Sequence, residues 1–181
     1  SYETIPENLA CIMFKAQESS FLVGYIAGKM TATDHVGLIG PMRNPIIDQF
    51  EYGFRGGVAY AANELGKEIA VDIQYIESFS DDAKAKATAQ VMYTGGADIL
   101  FAMCGGAGLG VIEAAKEMKL YAIGVDRDKN YLAPDNVITS AMKNVGPVIY
   151  DVTKMTADGS FPGGAATEFG VKEGAVGIAP T

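Results

Sequence analysis

The chain has no tryptophan, a single histidine (His35), two cysteines and no apolar run of membrane-spanning length. Each shortage excludes something. One His and two Cys without a Cys-x-x-Cys pair supply too few ligands for a structural zinc site. The longest stretch free of charge, Ile99 to Ile112, is broken by glycines and is shorter than the roughly 20 apolar residues a bilayer crossing requires. Basic side chains are scarce, 14 Lys and Arg against 22 Asp and Glu for a net charge of −8, so no phosphate-seeking face and no nucleic-acid partner are expected. No basic segment leads into an apolar one at the amino terminus, which reads as the absence of a secretory signal. A start at Ser1 without Met reads as a processed or truncated product.

What is present is a well-patterned globular chain, 49% hydrophobic and 20% charged. Short apolar runs alternate with helical periodicity. Leu9 to Phe14 reads as a strand, and Ser19 to Met30 as a helix capped by Ser19 or Ser20. Val36 to Ile39 is a second strand. Pro45 opens a long helix whose apolar positions Ile47, Phe50, Phe54, Val58, Ala61 and Leu65 fall on one face, with Gly66 as its stop. Gly53, Gly56 and Gly57 weaken that helix and imply close approach by a neighbour. Val71, Ile73 and Tyr75 alternate with polar residues, as on an edge strand. Ser80-Asp81-Asp82 then starts a helix that ends at Gly95-Gly96. Ile99 to Cys104 is an apolar strand, Gly105 to Gly110 a glycine loop, Val111 to Lys119 a helix and Ala122 to Val125 a strand. Strands separated by helices predict an α/β fold, a parallel sheet covered by helices on both faces. Beyond a polar loop, Val137 to Met142 reads as a strand, Pro147 to Asp158 as a helix, Phe161 to Ala166 as a loop and Val171 to Ile178 as a last strand. These final elements either belong to a second lobe or extend the same sheet.

In an open parallel sheet, ligands lie beyond the carboxyl ends of the strands. Those positions carry Gly40 to Asn44, Ser78 to Asp81, the glycine loop, Asp126 to Asp128, and Lys143. The glycine loop holds no Gly-x-Gly-x-x-Gly and the chain no Walker A run, so no cofactor is expected. Gly105 and Gly106 read as a tight turn, or as backbone that a ligand can approach closely. Asp126 reads as a turn residue, or as a carboxylate that accepts from the two hydroxyls of a sugar cis-diol, and its position favours the second. Lys143 is a solvated strand-end lysine or a donor beside that carboxylate. Phe79 is a hydrophobic staple on the next helix or a platform for stacking on a ligand face. No Gly-x-Ser-x-Gly elbow, no His-Glu-x-x-His and no convincing base is present, so the chain is not expected to be an enzyme. His35 reads as solvated in a turn, and Cys11 and Cys104 as small hydrophobes within strands.

The runs Glu18 to Ala27, Val36 to Gly40, Phe50 to Gly57, Ser78 to Asp81, Gly96 to Phe101, Ile123 to Asp126 and Thr139 to Lys143, taken in order, resemble the basic membrane protein family. These are the PnrA-like substrate-binding lipoproteins of ABC transporters, receptors for purine nucleosides. The resemblance covers most of residues 9 to 145. It implies a periplasmic-binding-protein-like (type I) fold whose lobes close on a ligand. Within it, residues 1–18 would be a crossing strand and first-lobe remnant, 19–139 the ligand-binding lobe, and 140–181 a crossing strand, helix and strand of the first lobe. It also implies that the aromatic at Phe79 stacks on the ligand, that Asp126 and Lys143 hold the ribose hydroxyls, and that the backbone at Gly105 and Gly106 lies alongside. The implied partners are a purine nucleoside, an ABC permease and the missing amino-terminal lobe. The implied location is outside the cytoplasm, with a lipid anchor to the membrane. A broken lobe interface makes a homodimer of the fragment plausible. The alternative is a sugar- or nucleoside-sensing regulatory domain of the same fold.

Overall fold

The computed structural model describes residues 4–180. A six-stranded sheet forms its centre. Its strands are β2 (His35–Gly40), β3 (Ala70–Tyr75), β4 (Ile99–Ala102), β5 (Tyr121–Asp126), β6 (Val137–Lys143) and β8 (Val176–Ile178), in the order β3-β2-β4-β5-β6-β8. All pairs are parallel except β6–β8. A second, two-stranded parallel sheet joins β1 (Ala10–Phe14) to β7 (Ala165–Phe169). The late elements therefore divide: β6 and β8 extend the large sheet, while β7 crosses back to the first strand.

Four helices cover the large sheet. α1 (Ala16–Met30) and α2 (Pro45–Leu65) pack on one face, where Val23, Ala27, Phe50, Phe54 and Val58 meet Val36, Leu38, Ile99, Phe101 and Ile123. α3 (Asp82–Thr94) and α4 (Gly108–Met118) pack on the other, where Ala85, Ala89, Met92, Val111 and Ile112 meet Ile39, Leu100, Ala102 and Ala122. Burial on both faces explains why β4 reads as unbroken apolar sequence, all four of its residues being buried. β3 at the edge alternates exposed and half-buried residues, as its pattern predicts. A fifth helix, α5 (Val145–Ala157), buries only Val148.

The long helix follows its sequence signals closely. Asn44 caps it, Pro45 opens it, and Gly66 ends it at φ +64°. Its predicted face is buried except for Leu65, which stands exposed in the last turn. Gly53 and Gly57 are where α1 comes closest. A Cβ on Gly57 would lie 2.0 Å from the Phe21 carbonyl oxygen, and one on Gly53 2.4 Å from that of Gln17. Gly56 has ordinary room.

Several expectations shift. Ser19 and Ser20 lie inside α1, not at its cap; their hydroxyls donate to the Ala16 carbonyl at 3.2 Å and the Phe50 carbonyl at 2.5 Å, so their polarity serves burial. Gly105 to Gly110 are not a loop: three form a 3₁₀ turn with Ala107 as its end, and the rest enter α4. His35 begins β2, half-buried, with Nε2 2.9 Å from the Asp72 carboxylate. β7 lies within a segment read in part as loop, and the last strand is only Val176–Ile178. Both cysteines are free; Cys104 is buried just beyond β4, and burial pushes its thiol up to about 12.

Candidate functional site

Because the five parallel strands run the same way, the segments that leave their carboxyl ends gather at one edge of the sheet. There they line a cleft of about 240 Å³ bounded by Asn44, Ile46, Ile47, Phe50, Phe79, Met103, Gly105, Val125, Asp126 and Lys143. Four of the five sequence-derived site residues thus share one cleft. The fifth, Gly106, sits next to it on the wall of a smaller cavity of about 60 Å³ behind the glycine turn, with Gly105, Gly124 and Lys129.

Asp126 ends β5 in an unusual backbone conformation. Its φ is +66°, and the Arg127 N–H donates to the Val125 carbonyl at 2.8 Å across it, closing a three-residue turn. A γ-turn with positive φ at a non-glycine residue is rare and strained. Its carboxylate is half exposed, and Oδ1 lies 3.6 Å from Lys143 Nζ. That separation exceeds a hydrogen bond, so the carboxylate keeps its acceptor capacity while the ammonium supplies compensating charge.

Lys143 ends β6 and stands where the two sheets meet. Its ammonium lies 5.7 Å from the centre of the Phe14 ring, at the end of β1, and 5.6 Å from that of Phe50 on α2. Both distances are within cation–π range, which fixes a flexible side chain without consuming a carboxylate.

Phe79 is held by two turns. The Ser78 hydroxyl accepts from the N–H groups of Ser80 and Asp81 at 3.2 and 3.0 Å. The Phe79 carbonyl accepts from Ala107 N–H at 2.9 Å, which ties the aromatic turn to the glycine turn. The ring is 47% exposed, too open for a staple sealed onto its helix. Gly105 has φ +63°, and a Cβ there would approach the Phe79 ring at 3.3 Å, so any side chain would be strained and would crowd the ring.

Sequence reasoning missed the apolar lining from Ile46, Ile47, Phe50 and Met103, and it set Asn44 at the strand ends without giving it a role. The loop after β2 carried the signal, since it leaves the same sheet edge as the others. Beside it, Glu51 is buried and accepts from Arg43, Arg55 and Tyr75 at 2.9, 2.8 and 2.5 Å. Burial alone would raise its carboxyl; the three hydrogen bonds outweigh burial and hold it below the usual carboxylate range.

This architecture is that of the periplasmic-binding-protein-like solute-binding proteins. A solved ABC-transporter solute-binding protein of Aeropyrum pernix K1 superposes with a TM-score of 0.90 at 26% identity, over 99% of this chain and 52% of that one. A transcriptional activator of the comK gene from Bacillus halodurans shares the fold, with a TM-score of 0.84 at 24% identity over 96% of this chain and 58% of its own. The chain belongs to the Bmp family, described as ABC transporter substrate-binding protein PnrA-like, whose model matches residues 1–181. It is 44% identical over 181 residues to basic membrane protein A of Borreliella afzelii, covering 98% of this chain and 54% of that protein. The chain therefore spans about half the length of the curated relatives it matches. The family is one of substrate-binding proteins and not of enzymes.

Proposed function

We propose that this chain forms one wall of the ligand cleft in the substrate-binding component of an ABC transporter. That component captures a purine nucleoside, or a related ribose-containing solute, outside the cytoplasmic membrane, where it is held by a lipid anchor, and passes it to a permease. The observation that carries the reading is the convergence of Asp126, Lys143, Phe79 and Gly105 on one cleft. In this reading the Asp126 carboxylate accepts from the vicinal ribose hydroxyls, Lys143 donates to the same edge, and Phe79 stacks on a flat face of the ligand. Gly105 lets backbone come close, with Gly106 beside it. Charge-assisted hydrogen bonds of this kind contribute about 1.5–3 kcal/mol each, and aromatic contact about 0.5–1.5 kcal/mol.

Residues 19–139 are assigned to the ligand-binding lobe, to which the large sheet adds the end of β6 and the last strand, β8. β1, α5 and β7 are assigned to the other lobe, which the rest of a longer protein would complete. β7 is exposed over most of its length and α5 buries a single side chain, which suits surfaces awaiting a partner. A ligand held between the lobes would favour closure by its differential affinity for the closed state. The regulatory alternative has only likeness of fold behind it.

Calorimetry tests the reading. This chain alone should bind inosine and guanosine weakly, in the millimolar range, and micromolar affinity would contradict a one-wall site. Joined to the segment that completes the other lobe, it should bind tightly, and Asp126→Ala should weaken binding about tenfold to a hundredfold. Unchanged affinity would remove Asp126 from the site.

A further inference from the structure

Asn44 serves the fold with half of its amide. Its Oδ1 accepts from the N–H groups of Ile46 and Ile47, each at 3.0 Å, which satisfies the first turn of α2. An amide nitrogen cannot accept, so this pairing fixes which end of the group faces the helix. The Nδ2 end, with two donor hydrogens, makes no hydrogen bond among the described residues, although Asn44 is one of the residues that line the cleft. The helix start itself offers little to a ligand here, because Asn44 already occupies two of its N–H groups.

The strand order gives this donor an address. Asn44 follows β2, Gly105 follows β4, Asp126 ends β5 and Lys143 ends β6, and these strands are neighbours in that order. Strands lie about 4.8 Å apart. The Asn44 loop therefore leaves the sheet roughly 10 Å from the strand of Asp126, on the side away from Lys143. If Asp126 and Lys143 grip the sugar, the base extends past Gly105 and Phe79 towards Asn44, between apolar walls.

We propose that Asn44 is a specificity-determining residue of the cleft, its Nδ2 donating to a ring-nitrogen or carbonyl acceptor on the base of a bound purine nucleoside. This rests on the nucleoside reading above and adds a base-reading contact to it. Its cap role holds the amide in place before a ligand arrives, so little side-chain freedom is lost on binding.

The test is a nitrogen-15 NMR titration of the chain, with inosine and with free ribose as probes. Inosine should shift the Asn44 side-chain NH₂ pair together with the backbone amides of Phe79 and Asp126. Ribose should shift Asp126 and its surroundings and leave the Asn44 pair in place. If inosine moves Phe79 and Asp126 but not the Asn44 pair, the base contact is wrong and the nucleoside reading survives. If ribose moves the Asn44 pair as far as inosine does, Asn44 does not read the base. If neither probe moves any cleft residue at millimolar concentration, the nucleoside reading fails and this inference fails with it. Asn44→Asp and Asn44→Ser separate recognition from folding, because both keep a good cap oxygen and lose the amide donor. Each should leave the melting temperature unchanged and weaken inosine about threefold to tenfold, with ribose affinity intact. Equal losses for inosine and ribose would overturn the assignment.

Discussion

The backbone at Asp126 makes a prediction that separates what the residue costs from what it does. Its φ of +66° lies where a Cβ is crowded, and a non-glycine residue held in such a conformation costs about 1–3 kcal/mol. Asp126→Ala and Asp126→Gly both delete the carboxylate and its 3.6 Å contact with Lys143, so that loss cancels between them. The half-exposed pair is worth about 0–1 kcal/mol in any case. What differs is the Cβ. Glycine is free of the strain but loses about 0.5–1 kcal/mol more in chain entropy on folding. Glycine should therefore be the more stable of the two by about 1 kcal/mol, or about 2–4 °C in melting temperature for a chain of this size. Asn, which tolerates positive φ better than Ala, should fall between them. Thermal melts of the three variants, monitored by circular dichroism, decide it. An alanine variant as stable as the glycine variant would show that the turn is not strained. In the proposed site both variants should weaken nucleoside binding alike, since neither carries an acceptor.

Two further predictions concern the frame around the cleft. Gly57→Ala gains helix propensity of about 1 kcal/mol but places a methyl 2.0 Å from the Phe21 carbonyl. Rigid backbone cannot yield that space, so denaturant unfolding should show a net loss of at least about 1–3 kcal/mol, with Gly56→Ala far milder. Glu51→Gln removes the charge from a carboxylate fed by Arg43, Arg55 and Tyr75 and should lower stability at neutral pH by about 1–3 kcal/mol. The Glu51 carboxyl is held below its ordinary value, so its stabilising contribution is complete above that ordinary value and is lost as pH falls through the lowered one. Stability measured against pH should fall on the acid side in the parent chain and fall less steeply in Glu51→Gln.

Legibility in the sequence followed how locally each feature is determined. The alternation of apolar runs with helical periodicity announced the parallel α/β sheet, because β4 and the buried face of α2 each encode their surroundings within a few residues. The strand-end rule then placed Phe79, Gly105, Asp126 and Lys143, since a parallel sheet sends all these loops to one edge. β7 was hidden because four of its five residues are exposed and it pairs with β1 about 150 residues earlier, a contact no local pattern records. Ser19 and Ser20 look like caps from their type; only packing against α2 shows that Ser20 spends its hydroxyl on the Phe50 carbonyl. Asn44 was legible only as the end of a strand-end loop before the helix-opening Pro45, because nothing local shows that one half of its amide caps the helix and leaves the other half over.

The opposite edge of the large sheet is fastened by other residues altogether. The Asp98 carboxylate, just before β4, accepts from the Thr31 hydroxyl at 2.7 Å and from the Ala32 and Thr33 N–H groups. Lys67 pairs with Asp34, and Asn136 donates to the Leu120 carbonyl at 2.8 Å. If the proposed cleft binds a solute, the exposed rim at Ile46 and Phe79 can thus be varied while every one of these fasteners is left alone. The same polarity of the strands that makes the pocket also makes it re-engineerable, one edge open to variation and the other keeping the scaffold shut.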